Sequence, residues 1–315
     1  MLRPTMSFHP VSPLFACHYG ASESRAAAAD GAIHLHLQLP HLAGAASESL
    51  NVPGAAIRHE HGFMLIESGH FMLGFSMIDA AEAIDRAAKE LYAGLLQISR
   101  GRHLYRVWNY VPQINSTVNG LERYRQFNIG RWQAFESAFG NHLRSHLPAA
   151  SAVGINGDKL VLVFAAGHLP ARHLENPEQV PAYHYPHSYG PRSPGFARAS
   201  LLHSDHLEVS FISGTASIRG HASMHTNNLA GQLEVTLDNL EIMGRQMEID
   251  LFDASTINDH WRFKCYLRHP QHLALVQELL SQRLGPVAEN CIYLQADICR
   301  SELDIEMEAS RIAMV

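Results

Sequence analysis

Acidic and apolar residues alternate near the end of this chain, in the segment LDIEME at positions 303–308. Alternate side chains of a β-strand point to opposite faces, so Asp304, Glu306 and Glu308 would share one face. A carboxylic acid buried on that face could deliver a proton near neutral pH, because removal from water raises its pKa. The same pattern describes a strand with one solvated face, which is its commoner meaning. The spacing alone leaves acid catalysis and a solvated surface both open.

A second stretch whose side chains could bind a substrate spans residues 181–200, PAYHYPHSYGPRSPGFARAS. Its four prolines exclude a regular helix or a central strand, because proline lacks a backbone N–H and fixes φ. Long irregular segments are usually functional or disordered, and disordered segments are poor in aromatic residues. The side chains that could stack on a flat ring or bind its carboxylates are Tyr183, Tyr185, Tyr189, Arg192, Phe196 and Arg198. We predict an ordered loop, whose alternative role is a proline-stiffened connector.

The composition argues against several classes of protein. The 315 residues carry a formal net charge of −6, which disfavours a general nucleic-acid-binding protein. No apolar run approaches a membrane span, and no secretory h-region follows the N-terminus. The four cysteines lack CxxC spacing, so we expect reduced thiols and a cytoplasmic protein. The 22 histidines are scattered without an HExxH or Cys/His cluster, and we predict no bound metal.

Two halves of the chain repeat one order of secondary structure. Strands, a long helix, a strand ending in proline and another helix are predicted over residues 61–146 and again over 205–284. We therefore predict an α+β fold of two packed units, 58–150 and 151–315.

Boundaries of some elements follow from cap and turn residues. The first long helix is expected to have Asp79 as its N-cap and to end at Gly101, and the second to run over about 120–146. Residues 1–57 are predicted to be an irregular lead-in with one strand, at 33–39.

Three blocks of sequence together carry a family resemblance. They are RVWNYVPQIN with RYRQFNIGR (106–115 and 123–131), YHYPHSYGPRSPGFARA with FISGTASIRGH (183–199 and 211–221), and ADICRSELDIEME (296–308). In combination they resemble the chorismatase family, from about residue 60 to the C-terminus. The resemblance implies an enzyme that acts on chorismate and releases pyruvate without a cofactor.

The last block also resembles the closing strand of the RidA/YjgF superfamily, whose small α+β subunits trimerise and bind small acids between subunits. This resemblance implies two such units in one chain, with the active site where they meet. One departure is that the carboxylate-binding arginine of the superfamily would fall near Cys291, where no arginine stands. Arginines of the helix and the loop are therefore expected to anchor the substrate.

The chorismatase resemblance also implies roles for particular residues. Glu306 would be the proton donor, with Asp304 and Glu308 as weaker candidates. Chorismate carries two carboxylates, so we expect Arg131, Arg192 and Arg198 to bind it, although each of these arginines could instead form a surface salt bridge. Tyr185 and Tyr189 would add hydroxyl donors and a ring face, and the small residues Gly214 and Ala216 are included in the expected substrate site. A cysteine at the position of Cys299, seven residues before Glu306, is associated with the branch of the family that aromatises chorismate. A packed core thiol is the alternative role for Cys299.

The expected reaction converts chorismate to pyruvate and 3-hydroxybenzoate, with 4-hydroxybenzoate left open as a second aromatic product. Two alternatives are hydrolysis to a dihydroxycyclohexadiene carboxylate and a non-catalytic RidA-like protein that binds a small acid. Cys299 is expected to act by shape and exclusion of water, since the mechanism needs no covalent intermediate. The oligomeric state stays open, and a monomer is compatible with the sequence.

Overall fold

The computed structural model describes residues 14–29, 31–257 and 261–314, which form three large sheets and four α-helices. The first six strands are β1 (Leu14–His18), β2 (Arg25–Ala29), β3 (Ala32–His36), β4 (His41–Ala43), β5 (Ser47–Asn51) and β6 (Ala56–Glu60). Four of them form a sheet in the order β2-β3-β1-β5, while β4 and β6 each join one of the larger sheets. This segment therefore connects to both units.

The prediction of an irregular lead-in is wrong for the described part of residues 1–57. β2 escaped detection because all five of its residues are exposed and four are alanine, which has low strand propensity and gives no alternation. β5 alternates only weakly, between exposed and half-buried positions. These strands are stabilised by pairing with β3 and β1, which no local pattern reveals.

The first unit follows directly. Its elements are β7 (Phe63–Glu67), β8 (Phe71–Asp79), α1 (Ile84–Ile98), β9 (His103–Pro112), β10 (Thr117–Val118), β11 (Leu121–Glu122), α2 (Arg123–Phe139), β12 (Ala149–Ile155) and β13 (Lys159–Gly167). The sheet order is β12-β9-β13-β8-β7-β6, and the apolar stripes of α1 and α2 pack on one face.

The first unit extends beyond the expected boundary at residue 150, because β12 crosses it and β13 pairs with β8 and β9. Two predicted helix boundaries in this unit are wrong. Asp79 does not cap α1: it ends β8, and its carboxylate accepts the backbone N–H of Ala81 at 3.0 Å, several residues before the helix begins at Ile84. The α2 helix ends at Phe139, and a 3₁₀ helix, Gly140–His146, continues the chain.

The second unit contains the remaining elements. They are β14 (Arg172–Leu174), β15 (Ala199–His203), β16 (Leu207–Ala216), β17 (Ile218–Arg219), β18 (Ala222–Ser223), α3 (Leu229–Gln246), β19 (Trp261–Leu267), α4 (Leu273–Leu284), β20 (Cys291–Gln295) and β21 (Ile305–Met314). The sheet order is β14-β15-β16-β21-β19-β20-β4. Its α3 and α4 helices pack on one face, as α1 and α2 do in the first unit.

The two units share one topology. In chain order each runs strand, strand, helix, strand, helix, strand, strand. The five core strands lie in the order β7-β8-β13-β9-β12 in the first sheet and β15-β16-β21-β19-β20 in the second, which match position for position. This match confirms the predicted α+β fold of two packed units.

A third core lies between the helix-free faces of the two sheets, closed at one side by the four-stranded sheet. Trp108 of β9 and Phe211 of β16 meet there edge to face, with ring centroids 5.6 Å apart. The loop 181–200 contains two short 3₁₀ turns, Ala182–His184 and His187–Tyr189, before β15 begins, and its Tyr183 and Phe196 pack against the core under α1 and α2. It is an ordered loop, as predicted.

Candidate active site

Glu306 lies on β21, the central strand of the second sheet, with Ala216 and Tyr266 as its cross-strand neighbours. Its side chain faces the core between the sheets, whereas Ile305 and Met307 face α3 and α4. The residue is only 3% exposed, and its Oε1 atom has no hydrogen-bond partner among the described residues. The face is therefore buried rather than solvated, and it presents a carboxyl group with a free oxygen.

Burial sets the protonation state of this carboxyl group. Removal from water raises the pKa of Glu306 to about 8, and the negative charge of Glu308 adds to this effect. Arg106 and Arg198 act in the opposite direction but do not cancel it. The side chain is therefore mostly a neutral acid at pH 7, which is the form that can donate a proton.

Small residues on β16 make room for this acid. A Cβ atom added to Gly214 would lie 2.7 Å from Cδ of Glu306 and 3.0 Å from Cβ of Ser151. The pairing of β16 with β21 is irregular between Ile212 and Thr215, which brings this segment close to the carboxyl group. Only glycine fits at this point.

Glu306 forms the floor of two adjoining cavities. Both are lined by Tyr124, Phe196, Gly214, Cys299 and Glu306. The inner cavity adds Arg131 and Ser151, and the outer one adds Tyr185, Tyr189, Arg198, Ala216 and Arg300. The cavities thus collect side chains from α2 of the first unit and from the loop, β16 and β21 of the second, so the site lies where the units meet.

Two predicted arginines carry buried N–H groups without partners in the described structure. Arg198 donates from Nη2 to the hydroxyl of Tyr185 at 2.8 Å, while its Nε is unpaired. Arg131, on α2, is 2% exposed, and its Nε and Nη2 are both unpaired. Burying unsatisfied donors of a cation is costly. A bound carboxylate would satisfy such donors, and guanidinium geometry suits it.

Arg300 adds a third cation that the sequence did not single out. Its guanidinium lies over the ring of Tyr189, 4.2 Å from the centroid, and Nη1 donates to the carbonyl of His221 and to Oγ of Ser223, both at 2.9 Å. Its buried Nη2 has no partner within the described ranges. The outer cavity therefore has a second fixed guanidinium beside that of Arg198.

Cys299 lines both cavities as a neutral thiol. Burial raises the pKa of the Cys299 thiol to about 12, and the nearby carboxyl of Glu306 adds to the shift. A thiolate nucleophile needs a lowered pKa, and the surroundings here do the reverse. The position of Cys299 therefore suits a side chain that fills space.

Comparisons with known proteins agree with this geometry. A family model described as "Chorismatase FkbO/Hyg5-like, N-terminal" matches residues 51–166. The chain is 35% identical over 235 residues to a 3-hydroxybenzoate synthase of Streptomyces hygroscopicus, covering 71% of this chain and 67% of that protein. It belongs to the chorismatase family. A solved chorismatase structure matches 98% of this chain and 95% of its own, with 28% identity and a TM-score of 0.82.

The family resemblance inferred from the three sequence blocks is thereby confirmed. A solved member of the YjgF/YER057c/UK114 family from Mycobacterium tuberculosis also matches, with 19% identity, over 38% of this chain and 87% of that one, at a TM-score of 0.29. Within the described part of this chorismatase-family chain, no helix has both the length and the apolar character to cross a membrane. No group of three or more His, Cys, Asp or Glu side chains in the same residues could hold a metal ion.

Of the residues expected to bind the substrate, Arg192 is the one that the structure places away from the cavities of this chorismatase-family protein. Its side chain is 44% exposed, and Nη2 lies 3.6 Å from the carboxylate of Glu136. Its guanidinium also lies over the ring of Trp132, 5.8 Å from the centroid. We therefore leave Arg192 out of the proposed site.

Sequence reasoning missed Arg300 and Tyr124 as site residues. Both lie inside blocks that carried the family resemblance, and Arg300 directly follows Cys299. Adjacency to a predicted site residue was the available signal for Arg300. For Tyr124, the only available signal was its position at the start of α2, two residues after the short strand β11.

Proposed function

We propose that this protein cleaves the enolpyruvyl ether of chorismate, releasing pyruvate and forming 3-hydroxybenzoate. The observation that carries the proposal is the neutral, unpaired carboxyl of Glu306 at the floor of two adjoining cavities whose linings include Arg131, Arg198 and Arg300. The name of the Streptomyces hygroscopicus relative supports the choice of aromatic product. The likeness to a solved chorismatase over nearly the whole chain supports the reaction class.

The acid supplies the first step. Cleavage of a vinyl ether requires a proton on the terminal methylene carbon, and Glu306 can donate one because its pKa of about 8 keeps it protonated at neutral pH. Proton transfer leaves an oxocarbenium ion next to the new carboxylate, whose negative charge stabilises it. The protonated form of Glu306 therefore supplies the proton, and the carboxylate that remains stabilises the cation.

The arginines hold the substrate against the acid. Chorismate carries one carboxylate on its ring and another on its enolpyruvyl group. Arg131 lines the inner cavity, whereas Arg198 and Arg300 line the outer one, and each has at least one buried N–H without a partner in the described chain. Two carboxylates bound at these two places would orient the ether between them. The ring faces of Tyr185 and Tyr189 complete the wall.

Crowding around the carboxyl group favours the aromatic product. Cys299, Gly214 and Ala216 lie on the cavity wall next to Glu306, and the Cys299 thiol takes up space that an attacking water would need. With water excluded, the substrate's own hydroxyl is the remaining nucleophile. Its oxygen forms a bond to the neighbouring ring carbon while the bond from that carbon to the ether oxygen breaks, and pyruvate leaves. Pyruvate and 3-hydroxybenzoate together contain the atoms of chorismate, so no water is consumed, and aromatisation of the ring returns a proton.

An assay of pyruvate release with chromatography of the ring product tests the proposal. Purified protein and chorismate should give pyruvate and 3-hydroxybenzoate in equal amounts. A dihydroxycyclohexadiene carboxylate instead of the aromatic acid would identify a hydrolase. Binding of chorismate without pyruvate would identify a non-catalytic binding protein. Either of these outcomes would overturn the proposed function.

The isosteric variant Glu306→Gln tests the role of the acid separately. We expect kcat to fall by about 10²- to 10⁴-fold, the usual cost of losing a general acid, with chorismate binding retained. Turnover near that of the wild type would remove Glu306 from the mechanism.

We further propose that the protein acts in the cytoplasm, where its four cysteines, all free, would stay reduced. Recovery of the native protein in a secreted fraction would contradict this location.

A further inference from the structure

Glu308 lies on the same face of β21 as Glu306 and is almost completely buried, yet it is fully bonded. Oε2 accepts Nη2 of Arg106 at 2.6 Å, and Oε1 accepts Nε1 of Trp108 at 2.8 Å. The ammonium group of Lys264 lies 3.2 Å from Oε1. Although burial alone would raise it, Arg106 and Lys264 bring the pKa of the Glu308 carboxyl below its ordinary value.

The charges around Glu308 are balanced without Glu306. Lys264 also pairs with Glu48 of β5 at 2.6 Å, and Glu48 accepts the hydroxyl of Tyr19. Two cations, Arg106 and Lys264, thus face two carboxylates, and of these four side chains only that of Glu48 is partly exposed. An isolated third negative charge would be costly in that region.

We propose that Glu308 is a positioning residue for proton donation, because its bonded carboxylate takes up the charge of Arg106 and Lys264 and so keeps the neighbouring Glu306 neutral. This inference rests on the proposed function, in which Glu306 is the acid. Two carboxyl groups two residues apart on one strand thereby take opposite protonation states. The carboxylate of Glu308 takes part in the ion pairs, and the protonated carboxyl of Glu306 faces the cavity.

Several elements contribute groups to this pair. The charged and titratable groups that face Glu306 include Glu308, Arg106 on β9, Arg198 in the loop, Tyr124 on α2 and Cys299 before β21. Arg131 on α2 and Arg300 before β21 line the same cavities, and Tyr266 on β19 is the cross-strand neighbour of Glu306. Those that face Glu308 are Arg106, Lys264 on β19, Glu48 on β5, Tyr110 on β9 and Tyr266 on β19. Arg106 is common to both sets, so the charge that Glu308 neutralises is one that would otherwise ionise Glu306.

The size of the change in the pKa of Glu306 follows from the distance between the two carboxyl groups. Side chains two residues apart on a strand are about 7 Å apart, where two unit charges at an effective dielectric constant of about 20 shift a pKa by about 1 to 2 units. Removing the charge of Glu308 therefore lowers the pKa of Glu306. Because the protonated form is the active one, the high-pH limb of kcat/KM should move to lower pH by the same amount.

The first experiment compares pH profiles of kcat/KM for the wild type, Glu308→Gln and Glu308→Asp. In Glu308→Gln we expect the limb to move down by about 1 to 2 pH units, so that activity at pH 8 falls by about 5- to 50-fold and recovers toward the wild-type value near pH 5.5. Glu308→Asp keeps the charge and should keep the limb. Glu289→Gln removes an exposed carboxylate far from these contacts and is the control. A loss in Glu308→Gln that is equal at every pH, or an unmoved limb, would overturn the inference.

Infrared titration of protein labelled with ¹³C-glutamate tests, without turnover, the premise that Glu306 is the protonated member of the pair. The wild type should show a buried protonated carboxyl band that disappears as pH rises through about 8, and Glu306→Gln should lack that band. A band that persists in Glu306→Gln would assign the buried proton to another glutamate and overturn the inference. The comparison needs neither chorismate nor a folded Glu308 variant. Failure of the proposed reaction is therefore distinguishable from failure of this inference.

Discussion

Replacing Gly214 with alanine would place one methyl group against the carboxyl of Glu306. The new Cβ would lie 2.7 Å from Cδ of Glu306, whereas ordinary contact begins at 3.4 Å. The carboxyl carbon would therefore have to move by at least about 0.7 Å, and Oε1 of Glu306, which is closer still to the new Cβ, by more. Cβ of Ser151, 3.0 Å away, leaves little room for the backbone to yield instead. Gly214 does not have positive φ, so alanine introduces a steric conflict and no backbone strain.

This displacement is expected to reduce turnover more than binding. A misplacement of about 1 Å costs up to about 10²-fold in rate, so we expect kcat of Gly214→Ala to fall by about 10- to 100-fold. KM should change less, since the three arginines do not touch the new methyl group. Overpacking of this kind also costs about 1–3 kcal/mol of stability, which would lower Tm by several degrees while leaving the protein folded at 25 °C.

Steady-state kinetics with pyruvate detection, together with thermal unfolding, would test this prediction. Gly69→Ala is the matched control, because a Cβ at that exposed turn meets nothing within 4 Å in the described structure and φ there is not positive. We expect the control to have wild-type kcat and Tm. A folded Gly214→Ala protein with kcat within twofold of the wild type would show that the carboxyl of Glu306 need not occupy its present position, and the assignment of the acid would fail with it.

Three further predictions concern the carboxylate-binding Arg131, the Cys299 thiol and the pH profile of the wild type. Arg131→Ala should lower kcat/KM by about 10- to 100-fold, because a substrate carboxylate would lose its partner in a site without water. Arg192→Ala should have no effect and is the control. Equal kinetics for the two variants would show that another residue binds the carboxylate. Cys299→Ala should stay active and shift the product from 3-hydroxybenzoate toward the diene diol, as measured by chromatography. Complete loss of pyruvate release in a folded Cys299→Ala protein would indicate covalent catalysis, and an unchanged product ratio would move the control of product choice to other residues. In the wild type, kcat/KM should fall above pH 8 as Glu306 loses its proton; a profile flat to pH 10 would exclude that residue as the acid.

Local patterns in the sequence predicted the parts of the fold that depend on local periodicity. The alternation around Glu306 assigned its face correctly, and the order of helices and strands revealed the two units before their sheets were known. The proline-rich loop was predicted as ordered because its composition allows neither a helix nor disorder. In contrast, β2 and β5 depend on pairing with distant segments, and their alanine and serine residues give no local signal.

The candidate site was predicted only in part for a related reason. Arg192 and Arg300 are the same residue type, and both lie in irregular segments, so the sequence does not reveal that their burial differs. One lies on the surface beside Glu136, and the other stacks on Tyr189 with a buried, unpaired N–H. The pKa of Glu306 was likewise expected to rise with burial, but the contribution of Arg106 and Lys264 through Glu308 depends on strands far apart in the chain.

The matching topology of the two units draws attention to a difference between them. β13 occupies in the first sheet the place of β21 in the second, yet it turns Val161 and Val163 toward the central core, where β21 turns Glu306 and Glu308. In a symmetric assembly of identical subunits, any substitution appears on both sides of every interface, so an acid and an apolar wall could not be chosen independently. Joining the two units covalently breaks that symmetry, and each half can then specialise at its own positions.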